Sequence, residues 1–347
     1  MSFALGVLLF FCVVWALLGP LVSPRIEEKI EWFMFAMGIA AATVSWSWSE
    51  AVVLEAVIRP MKVCGAVLLG SLIFSFSHDN IRRAVRRAMD RIGPRAAVGG
   101  AVIALGLVAP LITSVIAVLA LVEILYAMRL EPEAEAHVAV IGSFAVGLGG
   151  GLSPIGGPVP AVAMARLAEA PYETGAYYLM GLLGSWVVPA IVTLGVVAGI
   201  LFGKPGADRD KPVPEDPLSL WNILMLTGRM YVFIAGLVLL GAGLVPLIDR
   251  FLLGMSPWVL YWMNTISAVI DGATLVSVEI SPRMTQDQLR YILMGLLIAG
   301  GALIPGSAHN VVAAQKLKIG SRAWARVGLP TGAILMACYF LSLVVWA

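Results

Sequence analysis

Long apolar runs that contain almost no charged side chain recur along this 347-residue chain. A run of about 20 such residues crosses the roughly 30 Å hydrocarbon core of a bilayer as an α-helix. Apolar residues make up 60% of the chain and charged residues 13%, against roughly 25% charged residues in soluble domains. This composition excludes a soluble enzyme, a disordered protein and a nucleic-acid-binding protein. The runs are also too long and too little alternating for a membrane barrel, so we predict an all-α polytopic membrane protein embedded in the lipid bilayer.

The apolar runs predict about eight spanning helices and two re-entrant hairpins. The predicted spans are 3–22, 32–49, 56–77, 139–166, 175–202, 221–248, 288–318 and 323–346. The hairpin segments, 97–129 and 256–281, are apolar but interrupted by small polar residues, which membranes tolerate only beside protein or a water-filled cavity. The Arg-rich segment 78–95 is predicted to be a cytoplasmic loop, which places both termini outside. We therefore expect a multi-pass protein of a prokaryotic inner (cytoplasmic) membrane.

An internal repeat of opposite orientation is predicted to relate two parts of the chain. Val-Glu-Ile occurs at 122–124 and again at 278–280, and each copy precedes a Gly- and Pro-rich interruption of an apolar span. The interruptions read GGGLSPIGGPVPAVA over 149–163 and GGALIPGSAHNVVAA over 300–314. The residues expected to break the helices are Gly149, Gly150, Pro154 and Gly156 in the first copy and Pro305 and Gly306 in the second. Inverted repeats with matched broken helices are typical of secondary transporters, whose substrate site lies near the membrane midplane.

The repeat divides the chain into scaffold and transport segments. The predicted segments are 1–95 (scaffold helices), 96–174 (first hairpin and broken helix), 175–255 (scaffold helices and linker), 256–322 (second hairpin and broken helix) and 323–347 (closing helix). The transport unit is expected to combine the two segments that contain a hairpin and a broken helix.

Asp271 stands out among the polar groups of the apolar segments. It lies about midway along the second hairpin segment, between Ser267 and Thr274. A carboxylate flanked by hydroxyl groups is a suitable ligand set for a hard cation such as Na⁺. Burial favours the protonated carboxyl and a bound cation favours the charged one, so one group could bind H⁺ and Na⁺ in turn. The alternative is that Asp271 caps the second helix of the hairpin and is structural.

Further polar groups near the hairpins and interruptions are candidate ion ligands or proton carriers. The hydroxyl and amide candidates are Thr113 and Ser114 at the first hairpin tip, Ser153 at the first interruption, and Ser307 and Asn310 at the second. Glu123 is a candidate for ion or proton binding, and His309 and Glu279 are candidates for proton handling. The most specific expectation is an Na⁺ site at Asp271, Ser307 and Asn310. Serine and threonine in membrane helices also commonly bond backbone carbonyls instead.

Other chemistry finds no support in the sequence. It contains no GxxxxGK[ST] phosphate loop, HExxH or CxxC motif, so neither an ATPase subunit nor redox chemistry is indicated. No nucleophile–base constellation indicates an enzyme, and no cofactor is expected beside the transported Na⁺ or Li⁺ and H⁺. Glu55 and Arg59 are spaced for a local ion pair near an interface, and no cationic residue is expected in the site.

Three segments resemble motifs of the ion-transporter superfamily, which includes NhaD-type sodium:proton antiporters, arsenite pumps and divalent-anion:sodium symporters. SAVIDGAT at 267–274 is similar to the antiporters' hairpin pattern Ser-Ala-x-x-Asp-Asn. GGGLSPIGGPVP at 149–160 resembles their first broken helix, and GSAHNVVAA at 306–314 resembles the Gly-Ser-x-x-Asn of the second. The chain looks most like the branch of short prokaryotic predicted cation transporters.

The resemblance implies an elevator-like transport unit that moves against a scaffold, and often a homodimer. It implies that Asp271 binds the cation and the proton, with further ligands at Ser267, Thr274, Ser153, Ser307 and Asn310. Three amide positions of the superfamily patterns hold Gly151, Pro160 and Gly272 here. A single ion site centred on the second copy of the repeat is therefore expected.

Two functions stay open on the sequence. The first is a Na⁺ (or Li⁺)/H⁺ antiporter, favoured by an acidic hairpin residue among hydroxyls without a cationic group to hold an anion. The second is a sodium-coupled symporter of a small carboxylate or inorganic oxyanion, because helix N-termini bind anions without any arginine.

Overall fold

A computed structural model describes most of the chain, and every regular element in the described part is a helix. The described residues are 3–168, 171–172, 174–175, 177–203, 220–251, 256–264, 272–280 and 283–346. Residues 203–217, the Pro-rich charged segment predicted to be the linker, therefore lie almost wholly outside them, as does the tip of the second predicted hairpin segment. The described part is helical and has several strongly apolar helices, which supports the predicted membrane protein.

Fifteen α-helices are described along the chain. The N-terminal helices are α1 (Phe3–Val22), α2 (Pro24–Glu27), α3 (Ile30–Val44) and α4 (Glu50–Ile92). They are followed by α5 (Pro94–Ile112), α6 (Ser114–Met128), α7 (Pro132–Gly150), α8 (Pro158–Arg166) and α9 (Tyr178–Phe202). The remaining helices are α10 (Leu220–Phe251), α11 (Pro257–Met263), α12 (Gly272–Glu279), α13 (Gln286–Ala302), α14 (Ala308–Lys316) and α15 (Ser321–Trp346), with a 3₁₀ turn at Ile304–Gly306 between α13 and α14.

Local sequence signals explain where many of these helices begin. Helices α5, α7, α8 and α11 each have proline in their first turn, where its missing N–H would have no intrahelical partner. Helix α13 begins at a capping box, in which the side chains of Thr285 and Gln288 each accept a backbone N–H of the other residue.

Helix α4 corrects the prediction of a loop at 78–95. It runs without a break for 43 residues, which at about 1.5 Å per residue is roughly twice the thickness of a hydrocarbon core. The Arg-rich stretch is its C-terminal part, and the helix ends only at Gly93, whose φ of 81° is unfavourable for other residues. Arginine is a good helix former, so the charge of this segment does not interrupt the helix.

Four helices in the described part of the chain are long and apolar enough to cross a membrane, where the sequence predicts about eight spans. They are Pro94–Ile112, Tyr178–Phe202, Thr227–Leu247 and Ser321–Val345. The first of them belongs to the segment predicted as a re-entrant hairpin, and its length is sufficient for a full crossing. Shorter apolar helices include Ile30–Val44 and Ser114–Met128.

The packing of the helices brings the interrupted spans together. Helix α7 contacts α13, α6 contacts α14, and α12 contacts α8. Helix α10 lies against α3, α4 and α12, and α4 also contacts α6. Helices α3 and α10 pack closely because both have glycine at the contact. A Cβ on Gly38 would lie 2.3 Å from the carbonyl oxygen of Gly236. The helix ends beside the two interruptions therefore face a common interior space.

Candidate functional site

A cavity of about 750 Å³ lies where the two helix interruptions meet. Its wall includes the ends of α7 and α13, the segments that follow them, and the starts of α8 and α14. The α5–α6 junction at Thr113 and Ser114 contributes to the wall, as does Gly272 at the start of α12. Parts of α4 and α10 complete the described lining. The cavity therefore brings together the first hairpin tip and both interruptions.

The first interruption is joined to the α5–α6 junction by backbone carbonyls. Helix α7 ends at Gly150 and α8 begins at Pro158. Both the backbone N–H and the hydroxyl of Ser114 donate to the carbonyl oxygen of Gly156, at 2.8 and 2.7 Å. In return the Ser153 hydroxyl donates to the carbonyl oxygen of Pro110. The hydroxyls of Ser114 and Ser153, both predicted as ion ligands, thus donate hydrogen bonds to backbone carbonyls beside the helix ends.

Glycine is required in the first interruption because the backbones approach closely. A Cβ on Gly156 would lie 2.0 Å from the carbonyl oxygen of Gly150, and one on Gly150 would lie 2.1 Å from the Ser114 hydroxyl oxygen. Gly149 has the same constraint, because its Cβ would lie 1.9 Å from the carbonyl oxygen of Gly106. Pro154 lies in the turn between α7 and α8 and lines the cavity.

Thr113 is the joint between α5 and α6. Its φ of 83° is rare for a residue with a branched side chain. Its hydroxyl accepts the backbone N–H of Ile116 at 3.3 Å and so caps α6. Such a strained backbone persists only where the surrounding structure holds it. Here the next residue, Ser114, is held by its two hydrogen bonds to the Gly156 carbonyl.

The second interruption is held by a side-chain amide. The turn at Ile304–Gly306 contains Pro305 and Gly306 and leads into α14. The Asn310 side-chain N–H₂ group donates to the carbonyl oxygens of Gly300 at 2.7 Å and Leu303 at 2.9 Å. The Ser307 hydroxyl also donates to Gly300, at 2.9 Å. Asn310 is fully buried and does not line the cavity, and its Oδ1 has no hydrogen-bond partner among the described residues.

His309 lines the cavity from the first turn of α14 and is 9% exposed. Its ring lies over Gly147 of α7, where a Cβ would approach Nε2 to 2.9 Å. Within the described part of the chain, Nε2 has no hydrogen-bond partner. Gly147 is thus a functional candidate that the sequence analysis missed, because only the packing of α7 against α14 shows its role.

The two repeat-related glutamates lie outside the cavity lining. Glu123 is buried in α6, and its Oε1 is 4.0 Å from the buried Nζ of Lys316 at the end of α14. The Tyr126 hydroxyl donates to the backbone carbonyl of the same lysine. Glu279 is buried at the end of α12. Near Tyr126, burial raises the pKa of the Glu135 carboxyl at the N-terminal end of α7.

Helix α4 brings charges to the cavity that the sequence analysis did not expect. Glu55 and Arg59 form the predicted i,i+4 ion pair. They lie on the cavity wall together with Lys62. The expectation of a site without cationic residues is therefore wrong, because α4 passes beside the interruptions although it is distant from them in sequence.

The remaining candidates lie partly outside the described residues. Asp271 and Ser267 lie outside the described residues, and Thr274 is described only as part of the backbone of α12. Gly272, next to Asp271 in the sequence, lines the cavity. No group of three or more His, Cys, Asp or Glu residues with metal-binding geometry occurs in the described ranges. Among the described lining residues, hydroxyl and backbone groups and the His309 ring lie at the interruptions and the α5–α6 junction, and the charged side chains lie on α4.

One family comparison covers almost the whole chain. The model of the family described as "Protein of unknown function (DUF1646)" matches residues 4–346. No curated protein matches the chain.

Proposed function

The chain belongs to the DUF1646 family, and we propose that it is a secondary active transporter that exchanges Na⁺ or Li⁺ for H⁺. The observation that carries this proposal is a cavity lined by both interrupted helices. Paired interruptions at one cavity are the arrangement by which secondary transporters surround an ion with helix ends and freed backbone groups.

The inverted repeat is part of the proposal, and the helix contacts support it. The sequence alignment of the two interruptions pairs α6 with α12, α7 with α13 and α8 with α14. Under that pairing the contact of α6 with α14 corresponds to the contact of α12 with α8. When the pairing is extended to the helix that precedes each hairpin segment, α4 with α10, the contact of α4 with α6 corresponds to that of α10 with α12. A pseudo-two-fold relation of this kind would place the two interruptions near the membrane midplane, as predicted from the sequence.

The hydroxyl groups around the cavity favour a cation over an anion. A serine hydroxyl has one proton to donate and two lone pairs. The hydroxyls of Ser114 and Ser307, which line the cavity, each donate that proton to a backbone carbonyl. Their remaining capacity is therefore to accept, which is what a hard cation requires of its ligands. The C-terminal ends of α7 and α13 add the negative end of a helix dipole to the same wall.

We propose Asp271 as the carboxylate that binds the cation and the proton in turn. Its neighbour Gly272 lines the cavity, and Ser267 and Thr274 flank it in the sequence. Competition between H⁺ and Na⁺ for one carboxylate is the simplest basis for exchange. An elevator-like movement of the hairpins and interrupted helices, within a homodimer, remains part of this proposal through the resemblance to the ion-transporter superfamily.

Ion-driven proton movement in proteoliposomes tests the proposal. Na⁺ or Li⁺ is added outside vesicles with an acidic lumen, and lumenal pH is followed by fluorescence between about pH 6.5 and 9. The proposal predicts cation-dependent alkalinisation that is lost in Asp271→Asn and kept in the control Asp287→Asn, whose carboxylate pairs locally with Arg290. No cation-dependent signal from folded protein contradicts the antiport proposal, and a signal unchanged in Asp271→Asn contradicts the role of that residue.

A second candidate function is supported by the basic groups of α4. Lys62 adds a positive charge to the cavity wall beside the paired Arg59. The start of α14 offers the backbone N–H groups of Ala308 and His309, whereas prolines remove two of the first three such donors from α8. These features fit a sodium-coupled symporter of a small anion bound at the second interruption. Sodium-dependent uptake of a labelled carboxylate or oxyanion that falls in Lys62→Gln would favour this alternative.

A further inference from the structure

The Arg-rich C-terminal part of α4 has a buried apolar side and an exposed basic side. Val85 and Met89 are buried, and Ile81 and Ala88 pack partly buried against the same core. Residues three and four apart lie on one side of an α-helix, so the exposed arginines opposite this core form one surface. We call it the arginine face, and it consists of Arg83, Arg86, Arg87 and Arg91 of α4, continued by Arg95 in the first turn of α5.

The arginine face is largely free of acidic partners in the described part of the chain. Asp90 is the one acidic side chain on this side of α4 that the structure describes. Arg83 donates to the side-chain oxygen of Asn80. The ion pairs found among the described residues lie elsewhere and include none of the other four arginines. The face therefore offers guanidinium groups that the protein itself does not neutralise.

The neighbouring segments leave most of this charge in place. Residues 78–95 contain six arginines and two aspartates, an excess of four positive charges. The segment 204–219, outside the described residues, contains three basic and four acidic residues, so it can offset one of the four. Glu131 and Glu133, beside the start of α7, are exposed and take part in none of the ion pairs of the described ranges.

The arginine face lies at the ends of two candidate membrane spans. Helix α5, which is long enough to cross a membrane, begins at Pro94. Helix α9, another such helix, ends at Phe202, and a Cβ on the next residue, Gly203, would lie 2.6 Å from the Cα atom of Arg95. Ends shared by two spanning helices mark one surface of the membrane. Residues 83–91 lie within roughly 17 Å of this point along α4.

Arginine at a membrane surface is suited to the phosphate of a lipid headgroup. Its planar guanidinium binds phosphate oxygens through two parallel N–H groups, and basic clusters beside a spanning helix attract anionic lipids. Ile92, between the arginine face and α5, is 58% exposed and offers an apolar contact beside the charges. Basic residues also orient a chain in the membrane, but orientation requires only their number, whereas this face groups unpaired guanidinium groups on one side of a helix.

We propose that the arginine face binds the headgroups of anionic phospholipids in the membrane that surrounds the protein. The occupant is a lipid because the face adjoins the membrane surface at Arg95 and has the exposed Ile92 beside it. This site is separate from the central cavity, whose lining on α4 ends at Val63. It does not depend on which ion the cavity binds.

Native mass spectrometry of the purified protein with equal amounts of phosphatidylglycerol and phosphatidylcholine tests the site. The parent should bind the anionic phosphatidylglycerol in preference. In Arg87→Gln/Arg91→Gln this preference should fall at least about fivefold, which is the contribution of about one basic residue at an anionic surface. Glutamine is a good helix former, so α4 should stay intact. The preference of the parent should also weaken as ionic strength rises, because salt screens exposed charges.

The control variant Arg25→Gln/Arg326→Gln removes two exposed arginines from α2 and α15, outside the arginine face. It changes the net charge equally and should keep most of the preference. Equal binding of the two lipids by the parent, in protein that elutes as a single monodisperse peak, overturns the proposal, as does an equal loss in the two double variants. Displacement of the bound lipid by excess glycerol phosphate would overturn a lipid as the occupant.

Discussion

The two helix interruptions are held open in different ways. At the first, glycine backbones touch, and Ser114 and Ser153 exchange hydrogen bonds with carbonyls across the gap. At the second, the amide group of Asn310 binds two carbonyls from one side. A steric fit between backbones is rigid, whereas a side-chain amide can rotate away from its acceptors. The comparison indicates that the first interruption is the more rigid of the two.

The buried glutamates show the same difference between the two copies of the repeat. The carboxylate of Glu123 is balanced by Lys316 in the present conformation, and Glu279 has no comparable partner in the described part of the chain. In both comparisons, the group with the less constrained surroundings, Asn310 or Glu279, lies in the second copy of the repeat. Substitutions at corresponding positions of the two copies test this difference.

The largest expected effect is at Gly156. Gly156→Ala would bring a Cβ to 2.0 Å from the Gly150 carbonyl, so we expect a loss of stability above about 4 kcal/mol or no folded protein at all. The control at the second interruption is Gly300→Ala, at the position that aligns with Gly150 when Gly156 is aligned with Gly306. Its Cβ would meet the Ser307 hydroxyl at 3.0 Å, and the expected loss is about 1 kcal/mol. Thermal unfolding in detergent, followed by tryptophan fluorescence, compares the two, and equal midpoints would contradict the steric difference.

Breaking the buried ion pair should have the next largest effect. Lys316→Met leaves the Glu123 carboxylate buried and unbalanced, which typically costs about 3–5 kcal/mol. The double variant Glu123→Gln/Lys316→Met removes both charges and should recover most of that loss in the same unfolding assay. Arg166 ends α8 as Lys316 ends α14 but is exposed, so Arg166→Met should shift stability by less than about 0.5 kcal/mol. A double variant as unstable as Lys316→Met would show that the pair itself is not the cause.

Asn310→Ala should have an intermediate effect. The change removes both donors to the Gly300 and Leu303 carbonyls and leaves buried acceptors, for an expected loss of about 2–3 kcal/mol. The aligned position of the first copy is Pro160, where proline donates nothing. Pro160→Ala should therefore change the unfolding midpoint far less, and a reversed order would remove the distinction between the two interruptions.

The smallest expected effect is at Ser114. Ser114→Ala removes the hydroxyl bond to Gly156 but keeps the bond from the backbone N–H, so about 1 kcal/mol is expected. If Ser114 only supports the backbone, the apparent affinity for Na⁺ in the proteoliposome assay should stay unchanged, whereas Ser307→Ala should weaken it. An equal loss of affinity in the two variants would assign ion binding to both interruptions.

The sequence predicts those features that depend on neighbours in the chain. Glycine and proline mark the ends of helices locally, which is why breaks expected near 150–156 and 305–306 agree with where α7 and α13 end. The Glu55–Arg59 pair depends only on helical spacing. The prediction of a loop in the Arg-rich part of α4 is wrong, because arginine has a high helix propensity and the helix ends only at the Gly93–Pro94 boundary.

Features that depend on distant parts of the chain could not be predicted. Lys316 meets Glu123 only because α14 packs on α6. Asn310 is predicted to offer its amide oxygen to an ion, and no local pattern indicates that its amide nitrogen binds the carbonyls freed at the end of α13. The basic wall of the cavity arises because α4 passes beside the interruptions, which no local pattern indicates.

The most direct test of alternating access is to measure whether a reagent reaches the cavity from each side of the membrane. Ala308 lines the cavity at the start of α14, and Ala308→Cys can be placed in a variant in which Cys12, Cys64 and Cys338 are replaced. A membrane-impermeant thiol reagent is then added to either side of oriented proteoliposomes, with and without Na⁺ or Li⁺. Alternating access predicts that the reagent reacts with the Ala308→Cys variant from both sides of the membrane, at rates that Na⁺ or Li⁺ changes. Reaction from one side alone, at a rate that neither cation alters, would contradict alternating access to this cavity.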